Sequence, residues 1–486
     1  MGKLIKNELI KLFKKKSIYI ALIVVLGFMI FSNFMYKSTN NVMYNQYYYS
    51  GQTLTFLQEE LEGLDPEKAS DMEMYIDIKS QIELYELMGE YENGSWQQEI
   101  ISENLSGYFK EKCMYEYGAK KDSQKAQEAQ NKIDEIKQKL DSDDWEYFAQ
   151  LELQQATEKL ANIEEQIKNT EDKKALLSLN QEKENALIDK TIAEYRINKN
   201  IKYGQDYLNQ ALDDYKYSAQ QILRYENSEK ELTYDEKKAY NSTLEIRESS
   251  KYMIENKVDL NKMNLNKNLE YFFDNYGIFA IAIIIMIAGT IMSEEFNKGT
   301  IKLLLVKPYS RTKILLSKFI TSMLMIIFVV LIMGIMQLLV GGVVFGFDSL
   351  SEPVVAYNFN TNSLHEINVF VYFLTQFLAQ LPIFILLATL AFALGTIFAN
   401  SALAITISLL GYIAANIINQ LAISYNIKFL EYFVTMNWDL SQYLFGNLPN
   451  MEGMTMTFSI ITCIAYFLIM IISTWIIFKK KNIKNI

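Results

Sequence analysis

Glu294 and Glu295 open a segment, EEFNKGTIKLLLVKPYSRTKILLSK, that ends at Lys318 and carries six Lys and Arg. Carboxylates beside lysines and arginines form charge-assisted contacts and do not by themselves make or break bonds. The motifs that would signal catalysis are missing. There is no G-x-x-x-x-G-K-[ST] phosphate cradle, no Gly-rich dinucleotide turn, no H-E-x-x-H and no G-x-S-x-G elbow. Acidic pairs such as Glu59-Glu60 and Asp143-Asp144 sit in charge-mixed helical sequence and read as solvated faces. The single histidine, His365, falls in a polar loop and reads as a surface residue. Cys113 and Cys463 lie in segments of opposite character, which argues against a disulfide, and CxxC metal spacing is absent. No catalytic residue, metal site or cofactor is therefore expected in this chain, and it does not read as an enzyme.

The elements that must position the basic segment are long apolar runs. The chain has 486 residues, yet its mean hydropathy of zero hides two opposite materials. Residues 37–270 carry 47 of the 57 acids and 30 of the 47 bases, a net of −17, whereas the remainder nets +7. The acidic balance belongs to that insert and gives no reason to expect a nucleic-acid partner. Residues 1–16 read as a basic amphipathic helix, with Leu4, Ile5, Leu9, Leu12 and Phe13 at helical spacing and lysines around them. Such a helix lies in the membrane interface against anionic lipids. Residues 17–36 follow as a first transmembrane helix, the run Ile18–Tyr36 being free of charge. Residues 271–486 hold five more spans, near 274–293, 315–344, 367–398, 402–423 and 457–478. The fold class is thus an all-α membrane protein of six transmembrane helices with a helical, coiled-coil-like domain at 37–270.

Within that domain, Ile133, Ile136 and Leu140, and then Leu153, Ala156, Leu160, Ile163 and Ile167, repeat every three and four residues. Asp141–Asp144 and Asn169–Asp172 read as breaks, so a helical hairpin or bundle is expected. Tyrosines at 44, 47, 48, 49, 203, 207, 215 and 217 read as packing helix faces, with a ligand-stacking surface as the sharper alternative. Residues 427–434 and 443–445 suggest one or two short helices dipping into the bilayer.

Orientation follows from Lys and Arg counts. Residues 1–17 carry six lysines, 294–318 six bases and 479–486 four lysines. Residues 345–366 carry none, and 424–456 only Lys428. Both termini and the basic segment are expected in the cytoplasm and residues 37–270 outside it, in a bacterial cell membrane. The spans read as lacking Lys, Arg and His, which argues against a self-powered carrier. Uncharged polar residues stand there instead: Thr290, Thr389, and Gln337, Gln376, Gln380, Asn416, Asn419 and Gln420. They are expected to bond between helices, and the last six could line a substrate path.

The pattern E-E-x3-G-T-x7-P-x-S-R-x5-S-K resembles the segment after the second span of ABC-2-type transporter permeases. The matching residues are Glu294, Glu295, Gly299, Thr300, Pro308, Ser310, Arg311, Ser317 and Lys318. The stretch Lys6–Lys16 is also similar to the start of these permeases. The resemblance covers residues 1–36 and 271–486, and the long insert departs from it. It implies a permease subunit without its own nucleotide site. A cytoplasmic ABC ATPase, in two copies, would bind ATP and Mg, and a second permease, identical or homologous, would complete the assembly. Residues 294–318 would be the coupling loop, with Glu294, Glu295, Lys298, Gly299, Thr300, Leu304, Pro308 and Arg311 at the ATPase contact. The expected cargo is hydrophobic or amphipathic, an antimicrobial peptide being one such compound, as in antibiotic-resistance exporters. Two other readings stay open: a coiled-coil receptor or scaffold without transport, and a mechanotransmission complex acting on the cell envelope.

Overall fold

A computed structural model describes residues 1–39, 51–306 and 308–481. Tyr44, Tyr47, Tyr48, Tyr49, Lys307 and Lys484 lie outside the described residues. The chain forms two compact units, residues 1–40 with 262–486, and residues 41–261. The first unit opens with α1 (Gly2–Phe13) and α2 (Lys16–Thr39). The second contains α3 (Gly51–Glu62), α4 (Met72–Met88), α5 (Trp96–Asn104), α6 (Ser106–Tyr117), α7 (Ser123–Asp141), α8 (Trp145–Asn169), α9 (Lys173–Asn198), α10 (Tyr207–Glu226) and α11 (Tyr234–Asn256). The first unit resumes with α12 (Leu265–Glu270), α13 (Phe272–Asn297), α14 (Ile301–Val306) and α15 (Arg311–Phe345). A hairpin of β1 (Val354–Asn358) and β2 (Ser363–Ile367) follows, then α16 (Val369–Phe398), α17 (Ser401–Ser424), α18 (Val434–Asn437) and α19 (Met456–Lys480).

Six of the described helices, α2, α13, α15, α16, α17 and α19, are 24 to 35 residues long and apolar enough to cross a membrane. About 20 apolar residues suffice for the hydrocarbon core. The chain is an all-α, multi-pass membrane protein. Helix α13 is the most enclosed of the six, burying Tyr276, Ala280, Ile284, Ile285, Ala288 and Met292. Its Gly289 meets Gly395 of α16 backbone to backbone. Close approach through small residues supplies the van der Waals contact that drives helix association in lipid, where hydrophobic burial gives no advantage. Ile20, Ile23 and Val24 of α2 and Leu331 and Leu339 of α15 are exposed in the unit, as lipid-facing side chains are.

Two features differ from expectation. Within 345–366, read as a plain loop, β1 and β2 pair antiparallel with Ala356 opposite His365, and Val354 and Tyr357 are buried. Residues 428–446 form three short helical pieces in place of one or two.

The second unit is built from capped helices. Asp122, Asp144, Asp172 and Asp206 each accept backbone N–H groups at a helix start. Helices α8 and α9 form a hairpin through Thr170–Asp172, with Ala156 and Ile163 buried in the seam and Leu153, Leu160 and Ile167 half-buried. Ile100, Ile101 and Leu105 are fully buried in the neighbouring core. Tyr203 is buried and lies 3.8 Å from the Arg196 guanidinium, while Tyr215 packs edge-on against Tyr195. Those two tyrosines pack helix faces, whereas Tyr217 is exposed.

Glu99 lies in the same interior, with Oε2 buried and without a hydrogen-bond partner. Burial first, and then the nearby Glu103 carboxylate, push its carboxyl up to about 7 from 4.5. An acid with a raised folded pKa binds its proton more tightly when folded. Its stabilising contribution is therefore complete below pH 4.5 and is lost as pH climbs through 7. The melting temperature of the full chain should fall between pH 5 and pH 8, with Glu99 accounting for up to about 3 kcal/mol. Glu99→Gln should flatten that dependence. An unchanged pH profile in the variant would remove Glu99 as its source.

Candidate functional site

One end of the membrane unit gathers α1, the C-terminus of α13, α14, the N-terminus of α15 and the C-terminus of α19. Glu295 sits in the last turn of α13 and is 8% exposed. Its Oε1 accepts from Lys11 of α1 and Lys318 of α15, both at 3.0 Å. The Thr300 hydroxyl donates to its Oε2. Lys318 is 1% exposed and also donates to Glu8 at 2.7 Å and to the Ile291 carbonyl at 3.2 Å. Alongside, Lys15 donates to Glu294 at 2.5 Å and to Thr290 at 3.0 Å. Burial alone would lower the Lys11 pKa, but the Glu295 and Glu8 carboxylates outweigh it and raise it. The cluster thus satisfies its buried charges internally, as buried ions require.

Lys318 corrects the expectation that the spans hold no base. Helix α15 begins at Arg311, so Lys318 lies inside it and is fully enclosed. Sequence reasoning also missed Glu8, Lys11 and Lys15 as partners. The available signal was Glu8, the lone acid in the basic stretch 1–16.

The turn into α14 follows from two residues. Gly299 has φ +67, the left-handed conformation that glycine adopts without steric cost. Ser310 caps α15 by accepting from the Lys313 backbone. Between them, Ile301 is buried and roots α14, while Leu303 is 70% exposed and Val306 85% exposed. Leu304 is half-buried. Lys298 is exposed and pairs with Glu294 at 3.4 Å. Pro308 stands exposed before α15. Arg311 turns inward, donating to the carbonyls of Lys479 and Lys481 at 3.1 and 2.9 Å. Its guanidinium therefore caps the end of α19, a use that an outward-facing partner contact would compete with. The exposed pair Leu303 and Val306 was not singled out in the sequence. The apolar run IKLLLV held the clue, because a six-residue helix cannot bury every face.

At the other end of α13 lies a cavity of ≈ 410 Å³ between α13, α16, α17 and α18. Gln380, Asn416, Asn419 and Gln420 line it together with Asp274 and Asp439. Asn419 is bonded across to Thr435, at 2.6 Å to its carbonyl and 2.9 Å from its hydroxyl. Gln337 is elsewhere, pairing both ways with Asn33 of α2 at 3.1 Å. Gln376 is also outside the lining and donates to the Tyr372 hydroxyl at 2.9 Å. Thr389 bonds to the Ile385 carbonyl within its own helix. Among the described residues, no group of His, Cys, Asp and Glu is arranged to hold a metal ion.

Residues 241–484 match a family described as "Protein of unknown function (DUF2705)". Over 211 residues, 43% of this chain and 67% of the relative, the chain is 34% identical to the uncharacterized protein YhcI of Bacillus subtilis (strain 168). Over 203 residues it is 30% identical to the uncharacterized membrane protein YdbK of the same organism, covering 42% of this chain and 77% of YdbK. No solved structure matches the chain.

Proposed function

We propose that this chain, which belongs to the DUF2705 family, is the permease subunit of an ATP-binding-cassette exporter. The observation that carries the reading is α14. Ile301 and the Thr300–Glu295 contact root it in the bundle, while Leu303 and Val306 stand bare beside bases. Isolated exposed apolar side chains are ordinary. Two on one short, firmly rooted helix suit insertion into a partner's groove. The resemblance of Glu294–Lys318 to the coupling segment of ABC-2 permeases supports the same use.

In this reading the partner ATPase binds ATP and Mg, in two copies, and a second permease completes the complex. The termini and α14 face the cytoplasm and residues 37–270 lie outside it, the orientation that the lysine and arginine counts support. ATP-driven closure of the ATPase pair pushes α14. The Glu295 cluster passes the displacement to α1, α13 and α15 at once. Helix α13 is the common rod: Glu295 lies at one end and Asp274, on the cavity, about 30 Å away at 1.5 Å per residue. A hydrophobic or amphipathic compound held in the cavity is then released outward.

The test is retention of the ATPase. The tagged chain, purified from membranes of its own host, should bring down an ABC ATPase identifiable by mass spectrometry. The double variant Leu303→Ser, Val306→Ser should lower that yield about tenfold while leaving the melting temperature unchanged. No ATPase with the unaltered chain, or equal yields from both, would overturn the proposal.

A further inference from the structure

The cavity at the far end of α13 has a charge character that the spans, read as a sequence, did not reveal. Its lining includes two carboxylates, Asp274 and Asp439, and no base among the described residues. Asp274 is exposed and makes no hydrogen bond or ion pair among the described residues, and it lies within electrostatic reach of Asp439. Asp439 is half-buried, its Oδ1 held by the Ser441 backbone and hydroxyl at 2.9 and 2.5 Å. Asn416 and Gln420, one turn apart on α17, likewise carry no hydrogen bond among the described residues. Two carboxylates beside free carboxamides leave acceptor capacity and negative charge unmatched, in a wall that also holds Gln380, Asn419, Thr435 and Asn450 and whose apolar part is isoleucine, methionine and aromatic side chains.

Trp438 and Tyr412 form a tilted pair at 6.1 Å on the same lining. Aromatic faces attract cations through the ring quadrupole, most strongly where water is scarce. The cavity reaches from Phe273 to Ile281, about 12 Å along α13 at 1.5 Å per residue. Its volume falls within the range of sites for drug-sized ligands, roughly 300–1,000 Å³.

We infer that this cavity binds an amphipathic organic cation, its charge at Asp274 and Asp439 and its apolar body against the isoleucines deeper in. The inference rests on the permease reading for its role in transport, but binding itself needs no ATPase. An anion of the same shape is repelled by both carboxylates and meets no compensating base. The site therefore selects by sign of charge as well as by apolar area.

The experiment uses two hydrophobic ions of matched shape, tetraphenylphosphonium and tetraphenylborate, and the full chain in phosphatidylcholine nanodiscs. Saturable binding above empty nanodiscs is measured by equilibrium dialysis. Tetraphenylphosphonium should bind saturably and tetraphenylborate should not. Asp274→Asn should weaken the cation about tenfold, and the further change Asp439→Asn should weaken it again. Asn keeps the shape at both positions and can still accept the Ser441 contact. Undiminished cation binding in the double variant overturns the inference, as does saturable tetraphenylborate binding to the unaltered chain. Loss of ATPase association with cation binding intact sinks the permease reading alone. Retained ATPase with charge-blind binding sinks this inference alone.

Discussion

Replacing Lys318 with methionine is expected to destabilise the folded chain by about 3–5 kcal/mol, the usual cost of stranding a buried partner charge. Lys318 is 1% exposed and its ammonium is shared by Glu8 and Glu295, at 2.7 and 3.0 Å. Removing it leaves two carboxylates facing each other among apolar side chains, and Lys11, whose side chain is 56% exposed, can shield them only in part. Lys11→Met should cost far less, at most about 1 kcal/mol, because solvent already screens that ammonium. The triple change Lys318→Met, Glu8→Gln, Glu295→Gln should recover most of the loss, since it removes the stranded charge along with its partner. Thermal unfolding of the purified chain in one detergent checks the series. A Lys318→Met variant melting with the unaltered chain would mean that the cluster is not a stabilising lock, and would remove the route by which α14 is proposed to move α1, α13 and α15 together.

Much of this architecture was legible in the sequence, and the parts that were not share a cause. The six apolar runs stand out because the bilayer tolerates no exposed backbone and demands uninterrupted helix. Asp144 and Asp172 announced helix starts because a short acceptor before an apolar repeat satisfies orphan N–H groups locally. Asn416, Asn419 and Gln420 could be grouped because residues three and four apart share a helix face. What was not legible depended on partners distant in the chain. Lys318 read as the last base of a loop because nothing local shows that Glu8, 310 residues earlier, meets it. Gln337 was expected to bond between helices and does so with Asn33, but a carboxamide facing a cavity and one facing Asn33 look alike along the chain, so its place off the cavity was not legible. Arg311 read as outward for the same reason, its acceptors being the carbonyls ending α19. The β1–β2 hairpin was hidden by shortness, since five-residue strands flanked by polar loop offer little alternation to detect.

The central crossing offers the second large effect. A Cβ added at Gly395 would lie 2.4 Å from the Gly289 carbonyl oxygen and 3.3 Å from its carbon. Both atoms are backbone in the middle of α13, so no rotamer change relieves the overlap. Gly395→Ala already forces the helices apart, and Gly395→Leu must separate them by a full side chain. Overpacking of a tight core costs about 1–3 kcal/mol where neighbours can adjust. Here they cannot, and the leucine variant should lose more than about 3 kcal/mol or fail to accumulate as a monodisperse species. Gly411→Leu is the matched control: nothing lies within 4 Å of its added Cβ. That substitution should shift stability by no more than about 0.5 kcal/mol, the range of ordinary surface changes. Size-exclusion profiles and melting curves of Gly395→Ala, Gly395→Leu and Gly411→Leu should therefore rank by side-chain size at one glycine and show almost no effect at the other. Equal tolerance at both would place the α13–α16 contact farther apart than the backbone geometry puts it. The consequence for mechanism is direct. Helix α13 bears Glu295 at one end and Asp274 at the other, so a crossing that locks it to α16 sets how far it can tilt when α14 is pushed.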